Sequence, residues 1–313
     1  MKDFSIIVIT HNRCELLKRT LLPLLNFSSN NSGEVIVVDD NSVDETTTFL
    51  EIENNQYDCL TVIKHKENLG IGPARNSGLK KSKGEVILCL DDDIIVEKET
   101  LKNAILAFEK FPLAGVVAPS VIEKDTGVSR NGVPYINEKD IKHVANNHGA
   151  FCIIRRESLL KAGYYDEEIT YGADERSFTM KIHIAGYDIV FDPSLVGYHI
   201  DTVDRSKPNL FRYKMWIFNT TRLNFKYLPF FYATLFSLRY AVTMIFSGRK
   251  LYPIGSVKLI VSFFKGAITG IKKHEKMPAR SIKYFTSSKL YPNYGNNSLI
   301  KRLVDKYRGD NIY

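Results

Sequence analysis

Residues 84–95 read GEVILCLDDDII, an apolar run that ends in three consecutive carboxylates. The apolar part predicts a buried strand, and ligands of α/β sheets bind beyond the carboxyl ends of such strands. Three neighbouring acids repel one another, so burying them without a cation is costly. Asp91 and Asp93 are therefore candidate ligands for Mn²⁺ or Mg²⁺. A solvated turn after the strand would give the same short motif.

Upstream of this stretch, short β-branched runs alternate with helical patterns. Strands are predicted at 5–10, 34–39, 60–65 and 85–90, and helices at 13–25 and 72–81. Continuous apolar strands that alternate with helices predict an α/β fold with a mostly parallel, doubly wound sheet. Ser42 and Glu45 have the spacing of a capping box, which predicts a helix start after the second strand.

Acids after the second and fourth strands suggest a nucleotide site. Asp40 could accept a hydrogen bond from a ribose hydroxyl or a base N–H, or it could be a turn residue. The run NLGIGPARN at 68–76 lacks the third glycine of a dinucleotide loop, which argues against a nicotinamide-binding oxidoreductase. Arg75 in this run could pair with a phosphate or pack against the acidic strand ends.

The composition predicts a folded protein in a reducing compartment. With 313 residues and 44% apolar residues, one large domain with an appendage, or two domains, is expected. The four cysteines are scattered without CxxC spacing, which argues against a zinc site or a disulfide framework. The apolar stretch 4–9 is too short for a secretory signal. These features predict a cytoplasmic location.

The net charge of +8 hides an asymmetry between the two parts of the chain. Residues 1–204 hold 22 Lys and Arg against 32 Asp and Glu, whereas residues 205–313 hold 21 against 3. The basic part predicts contact with an anionic surface, either nucleic acid or anionic lipid. Because no nucleic-acid-binding motif is present and the apolar content is high, the membrane is favoured and no nucleic-acid partner is expected.

The stretch 251–271 is the main indication of membrane binding. Lys258, Lys265 and Lys272 recur every seven residues with apolar residues between them, which predicts a helix in the membrane interface. A helix packed on the protein's own core is the alternative. The stretch 227–246 is about long enough to span a bilayer, but Pro229 and an arginine at 239 interrupt it.

Several motifs occur in an order that resembles the inverting glycosyltransferases of family 2, which have the GT-A fold. They are SIIVITHNR (5–13), VVDDNS (37–42), NLGIGPARNSG (68–78), LDDDI (90–94), HGAF (148–151), RRESL (155–159), GYYDE (163–167), GADE (172–175), Gly186-Tyr187, Pro193 and His199. The resemblance covers about residues 4–200. It implies a nucleotide-diphosphate-sugar donor, with a UDP-sugar favoured.

The resemblance also assigns roles to individual residues. The nucleotide-sugar site would comprise Thr10, Asn12, Asp40, Arg75, Asp91, Asp92, His148 and Gly149. Asp91 and Asp93 match the ends of the family's DxD motif, and His199 matches a late histidine that can complete the metal shell.

The catalytic base is expected in the acid pair at 174–175. In the family the base is usually the Asp of a Glu-Asp pair at a set distance before a Gly-Tyr. Counting back from Gly186 selects Glu175, although the pair is reversed here, and a shift of one residue would select Asp174. Both acids could instead only begin a helix at 176–185, where negative charge suits the helix dipole.

These observations predict three regions and one leading function. Residues 1–115 would bind the nucleotide sugar, 116–204 would form the acceptor-binding and catalytic half, and 205–313 would be a basic, mainly helical extension on the inner face of the cell membrane. The expected activity is inverting, metal-dependent transfer of a sugar to a glycan or lipid-linked glycan in surface-polysaccharide assembly. The alternatives are a polyprenyl-phosphate glycosyltransferase and an inactive nucleotide-sugar-binding scaffold.

Overall fold

The computed structural model describes residues 3–127, 140–200, 209–247 and 253–286. Nine strands in these ranges form one mixed sheet. They are β1 (Phe4–Thr10), β2 (Glu34–Asp39), β3 (Leu60–Lys64), β4 (Val86–Asp91), β5 (Ile94–Val96), β6 (Ala114–Glu123), β7 (Lys142–His143), β8 (Phe151–Arg155) and β9 (Asp188–His199). The four strands predicted from the N-terminal pattern are confirmed to within one residue.

Helices cover the sheet and form the C-terminal part of the chain. They are α1 (Cys14–Ser29), α2 (Thr46–Gln56), α3 (Ile71–Lys81), α4 (Lys98–Ile105), α5 (Ala107–Lys110), α6 (Arg156–Ala162), α7 (Asp174–Ile184), α8 (Leu210–Tyr227), α9 (Phe230–Ser247), α10 (Pro253–Lys272) and α11 (Ala279–Thr286). The predicted helix at 13–25 extends to Ser29, and the one at 72–81 begins one residue earlier.

The strand order is β3-β2-β1-β4-β8-β6-β9-β5, with β7 paired to β9. The first four strands are parallel, and the sheet is mixed beyond β4 because β8 runs antiparallel to both β4 and β6. Every residue of β1 is buried. Its Ile6 and Val8 share a core cluster with Leu17 of α1, whereas Ile7 lies in the cluster on the other face with Leu79 of α3. Burial on both faces explains the continuous apolar run.

The predicted capping box is wrong. The helix after β2 begins at Thr46, and no side chain caps it at Glu45. Ser42 lies four residues before this start, where its hydroxyl accepts a hydrogen bond from the backbone N–H of Asn12. The chain first passes through a turn at Asn41, whose φ is 67°, so Ser42 is too far from the helix to cap it.

The C-terminal helices pack against one another and against the sheet domain. The stretch 227–246 is divided at Leu228 between α8 and α9, and among the described helices none is long and apolar enough to cross a bilayer. In α8, Asn219 donates to the carbonyl oxygens of Tyr171 and Gly172. Arg222 forms ion pairs with Asp166 and Glu168. These contacts attach α8 to the loop that precedes α7.

Helix α10 is confirmed near its predicted bounds, but its apolar residues are divided between two faces. Leu259 and Ala267 are buried, whereas Ile260, Val261, Phe264 and Ile268 are exposed. Lys258, Lys265 and Lys272 are also exposed. The helix therefore packs on the protein with one face and presents a second apolar face, bordered by lysines, to the outside.

Candidate functional site

The acidic run begins at the last residue of β4. Asp92 is buried and accepts hydrogen bonds from the Thr10 hydroxyl at 2.7 Å and from Arg13 Nη1 at 2.7 Å. The same Arg13 nitrogen lies 2.9 Å from Asp93 Oδ2. Burial alone would make two adjacent carboxylates costly, and Arg13 offsets that cost. The sequence reasoning missed Arg13, although a basic residue three positions after the end of β1 was the signal for it.

The acids of this run differ in their protonation. Burial raises the pKa of Asp92 to about 7, against the lowering effects of Arg13 and Thr10. Burial also raises the pKa of Asp91, although Arg75 opposes it. Burial opposes ionisation of Asp93 as well, but its hydrogen bond with His199 and the charges of His199 and Arg13 outweigh it and lower the pKa. Asp93 is thus the acid of the run with the strongest preference for its anionic form.

The donor types at this strand end fit the predicted divalent ion. Asp91 is partly exposed, and His199 Nε2 lies 3.3 Å from Asp93 Oδ2, so carboxylate oxygens and an imidazole nitrogen occur together. However, Asp91 pairs with Arg75 and Asp93 with Arg13. Across the described ranges, no three Asp, Glu, His or Cys side chains are grouped closely enough to hold a metal ion.

Asp40 organises the loop that precedes α3. Its carboxylate accepts hydrogen bonds from the backbone N–H groups of Leu69 and Gly70, at 3.0 and 2.8 Å, and lies 2.7 Å from Nδ1 of His65. Gly70 has a φ of 86°, and a Cβ there would lie 2.6 Å from the carbonyl oxygen of Thr170. The Asp40 carboxylate therefore holds the loop before α3, whereas the turn at Ser42 is held by Asp39, and the Asp40 oxygens already have protein partners.

Thr10 and Asn12 connect the ends of β1 and β2 to the acidic run. The Thr10 hydroxyl donates to Asp92, as described above, and the Asn12 carbonyl Oδ1 accepts from the backbone N–H of Val43 at 2.7 Å. Asn12 adopts a left-handed conformation with φ of 54°. Asparagine adopts this conformation more readily than most other non-glycine residues, and the hydrogen bond to Val43 fixes it here.

Arg75 lies at the centre of the site. It is buried and forms ion pairs with Asp174 and Asp91, and it donates to the Gly149 carbonyl oxygen at 2.7 Å. Burial opposes its charge, but Asp174 and Asp91 outweigh burial and raise its pKa. The sequence suggested that Arg75 pairs with a phosphate or packs against the acidic strand ends, and the structure contains the contact with the acids. Arg75 thereby connects α3, β4 and α7.

The loop before β8 brings His148 and Gly149 to the same centre. Gly149 contributes the carbonyl oxygen that Arg75 binds, and a Cβ on this glycine would lie 3.6 Å from Glu175 Oε2. The Nδ1 atom of His148 accepts a hydrogen bond from the backbone N–H of Ala150 at 3.2 Å. The backbone of this loop thus lies close to both Arg75 and Glu175.

The two acids at the start of α7 have different surroundings. Asp174 is buried in its ion pair with Arg75. Glu175 is half-buried and lines a cavity, and burial, together with the nearby charge of Asp174, raises its pKa to about 8. A carboxyl group with a raised pKa at a cavity wall is suited to proton transfer near neutral pH. The helix begins at Asp174, so both acids also lie in its first turn.

The cavity has a volume of about 580 Å³ and lies between the start of α7 and the C-terminal helices. Helix α8 contributes Trp216 and Thr220, and α9 contributes Arg239, Tyr240 and Thr243. The sequence analysis missed all of these side chains as site residues. The aromatic and basic composition of the C-terminal part was the available signal, and it predicted only a membrane contact.

Comparison with known proteins supports the fold and the family. Residues 5–163 match the profile described as "Glycosyl transferase family 2". The poly(ribitol-phosphate) beta-N-acetylglucosaminyltransferase TarS of Staphylococcus aureus is 30% identical over 194 residues, which is 59% of this chain and 33% of that protein. The chain therefore spans about one third of the length of this curated relative.

Two solved structures share the fold. Crystalline S. aureus TarS 1-349 gives a TM-score of 0.59 at 22% identity and covers 100% of this chain and 93% of its own. The mannosyltransferase PcManGT from Pyrobaculum calidifontis, solved with GDP-Man and Mn²⁺, gives a TM-score of 0.54 at 18% identity. The match covers 96% of this chain and 83% of that protein's chain. The fold is thus an α/β GT-A fold with a helical C-terminal part, and because the family profile matches more than half of the chain, the protein belongs to glycosyl transferase family 2.

Proposed function

We propose that this protein is an inverting glycosyltransferase that transfers a sugar from a nucleotide-diphosphate sugar to a hydroxyl group of a glycan. The observation that carries the proposal is the position of Glu175, at the wall of a cavity and next to the Arg75-centred acids at the end of β4. Family membership supports the reaction class. The relatives named above act on N-acetylglucosamine or mannose donors by their names, which supports a nucleotide-sugar donor.

Glu175 is the proposed base. Its carboxylate accepts the proton of the acceptor hydroxyl while the hydroxyl oxygen attacks the anomeric carbon of the donor. The bond from that carbon to the diphosphate oxygen breaks, the nucleotide diphosphate leaves with the electron pair, and the anomeric configuration is inverted. Asp174 is less suited to this role because its carboxylate is held in the ion pair with Arg75.

A divalent ion, Mn²⁺ or Mg²⁺, is part of the proposal. Asp91 and Asp93, with His199, are the residues proposed to hold it. A bound ion would neutralise charge on the leaving diphosphate. The support is the chemistry of these donors and the Mn²⁺ in the PcManGT structure. Arg75 and Arg13, which now pair with the two carboxylates, would then have to share them with the ion.

The acceptor is proposed to be a growing glycan, free or on a lipid carrier, of a surface polysaccharide. The C-terminal part is proposed to rest on the anionic inner face of the cell membrane. The support is the exposed apolar face of α10, which includes Ile260, Phe264 and Ile268 and is bordered by Lys258 and Lys265. Such a face suits the boundary between headgroups and acyl chains.

The test of the proposal is a thermal-shift panel of UDP-, GDP- and dTDP-sugars with and without Mn²⁺. A ligand at a hundredfold excess over its Kd stabilises the folded state by about 2.7 kcal/mol, so the correct donor should raise the melting temperature clearly. The panel is repeated on Asp91→Asn and Asp93→Asn, with the exposed Glu99→Gln as a matched control.

We expect the Mn²⁺-dependent shift in wild type and in Glu99→Gln, a much smaller shift in the two aspartate variants, and loss of sugar transfer in both. Near-normal transfer by either aspartate variant would contradict the metal assignment. No shift with any nucleotide sugar would contradict the proposed function, whereas a shift without transfer or hydrolysis of the sugar would favour the inactive nucleotide-sugar-binding scaffold.

A further inference from the structure

The cavity between α7, α8 and α9 has a composition that selects a particular kind of ligand. Its volume of about 580 Å³ is within the usual range for a small-molecule site. Glu175 opens onto it, so a molecule bound there would present a group to the proposed base. None of the residues assigned to the nucleotide is among the described side chains that line it. The described lining of the cavity is thus distinct from the residues assigned to the nucleotide.

One wall of the cavity is a tryptophan in a fixed orientation. The indole of Trp216 packs directly over Gly172, where any side chain would collide with it. Tyr213 contacts the indole edge-to-face with ring centroids 6.0 Å apart, and Tyr171 contacts it at 6.4 Å. A rigid indole is a suitable platform for the apolar face of a sugar ring. Tyr240 adds a second aromatic group to the lining.

The charges of the cavity favour an anion. The described lining contains two guanidinium groups, those of Arg176 and Arg239, and one carboxyl group, that of Glu175. Arg176 is buried and donates to Asn224 Oδ1 at 2.6 Å, so it contributes a fixed charge. Arg239 is half-buried on α9. Because the pKa of Glu175 is raised to about 8, the lining is cationic at neutral pH.

We infer that this cavity is the acceptor site and that the acceptor is a sugar that carries a phosphate, with Arg239 binding the phosphate and Trp216 contacting the ring. Guanidinium groups bind phosphate through paired, charge-assisted hydrogen bonds. The inference rests on the proposed glycosyl transfer, since it assigns the molecule whose hydroxyl Glu175 deprotonates. The phosphate could belong to the glycan itself or to a lipid carrier.

Because Trp216 is the single tryptophan of the chain, its fluorescence reports directly on the cavity. The experiment titrates the full chain with glucose 1-phosphate, methyl glucoside and inorganic phosphate, with the nucleotide found by the donor panel held at saturation. We expect a saturable change with glucose 1-phosphate, at a Kd about tenfold or more below that of methyl glucoside, from the charge-assisted bonds. Equal binding of both sugars, or no change with either, would overturn the inference.

Variants at Arg239 test the proposed phosphate contact. Arg239→Gln should weaken glucose 1-phosphate binding about tenfold and leave methyl glucoside binding unchanged, because only the charged contact is lost. Arg239→Lys should retain part of the affinity. Arg280→Gln, at an exposed arginine of α11, is the charge-matched control and should bind as wild type does. Circular dichroism verifies that each variant is folded, and unchanged binding by folded Arg239→Gln would refute the assignment.

A competition experiment identifies the source of the phosphate. Farnesyl phosphate in detergent micelles should displace glucose 1-phosphate if the phosphate belongs to a lipid carrier, and should fail to do so if it belongs to the glycan. Both results support an anionic acceptor. Donor binding is measured by thermal shift on the same samples. If donor binding persists while sugar-phosphate binding is absent, the acceptor assignment is wrong and the proposed transferase remains; if donor binding is absent, the proposed function fails first.

Discussion

The adjacent carboxyl groups of Asp174 and Glu175 at the start of α7 have different surroundings, which suits them to different roles. Asp174 is buried against the guanidinium of Arg75, whereas Glu175 turns toward the cavity and has its pKa raised to about 8. An ion-paired carboxylate is a poor proton acceptor, and a carboxyl group with a raised pKa is a good one. The pair therefore combines one structural acid with one group suited to take a proton.

Glu175 should determine the pH dependence of transfer. If it is the base, kcat/KM should rise about tenfold per pH unit below pH 8 and level off above it, because only the carboxylate accepts the proton. Glu175→Gln should lower the rate by roughly 10²–10⁴ and abolish this dependence while donor binding persists. The measurement is the pH profile of both proteins. If Asp174→Asn lowers the rate more than Glu175→Gln does while the geometry of Arg75 stays intact, Asp174 and not Glu175 is the base.

The Glu175 carboxyl group should make the wild-type protein less stable as the pH rises. The raised pKa means that the folded state keeps its proton between about pH 4.5 and 8, while the unfolded state has lost it. Because the folded state then binds more protons, the free energy of unfolding falls as pH increases through this window. Glu175→Gln should remove this fall, so its advantage in melting temperature over wild type should be larger at pH 8 than at pH 5. An equal difference at both values would contradict the raised pKa.

At the level of elements, the sequence predicts the strands and helices whose residues follow a local pattern of apolar and polar positions. The strands β1, β2 and β4 are recognisable as apolar runs because both faces of each are covered, and acids occur at the ends of β2 and β4. Strand β3 is only partly buried, but its run of β-branched residues gives a similar signal. Contacts that join distant elements left no such signal. The pairing of Arg75 with Asp174 spans 99 residues, and the cavity joins α7 to helices that begin more than 30 residues later. The site's centre could be predicted, but its cavity could not.

Helix α10 depends on two glycines for its contact with α8. A Cβ at Gly266 would lie 2.5 Å from the carbonyl oxygen of Phe218, and one at Gly270 would collide with that of Arg222. Alanine normally stabilises a helix by about 1 kcal/mol over glycine, but overpacking against backbone costs about 1–3 kcal/mol. Gly270→Ala should therefore destabilise the protein in chemical denaturation. Ile268→Ala, at an exposed position of the same helix, is the control and should change stability by less than about 0.5 kcal/mol. A stabilised Gly270→Ala would mean that α10 does not pack on α8 this closely.

At the scale of the whole molecule, the acidic and the basic parts of the chain have different proposed roles. The part up to residue 204 has an excess of acids, and several of these are collected around Arg75 and Arg13 at the strand ends. The basic part that follows has few acids. Its helices α8 and α9 complete the cavity, while α10 presents lysines and apolar side chains outward. One helical unit is thus placed between the proposed chemistry and the proposed membrane surface, which suits an acceptor that arrives from a lipid carrier.

The membrane contact can be tested with the lysines that border the exposed face of α10. Each lysine near an anionic surface contributes about 1 kcal/mol, so replacing Lys258, Lys265 and Lys272 by Gln should cost about 3 kcal/mol, or about two orders of magnitude in partitioning. Transfer to a water-soluble acceptor should be largely unchanged. The measurement is co-sedimentation with liposomes that contain or lack anionic lipid. Gln at three exposed lysines of the sheet domain, Lys66, Lys81 and Lys98, gives a variant of equal charge that should bind as wild type does.

The apolar part of the contact requires a second variant, because salt and lysine replacement affect only its electrostatic part. Serine at Ile260, Phe264 and Ile268 removes large exposed side chains from the same face and should abolish the binding that persists in the lysine variant. If the face instead joins two copies of the chain, this variant would change the elution volume in size-exclusion chromatography and leave liposome binding intact. Binding that ignores lipid charge and resists both high salt and carbonate would also contradict docking, because salt should weaken the electrostatic part of the contact and carbonate should release a helix that only lies in the interface.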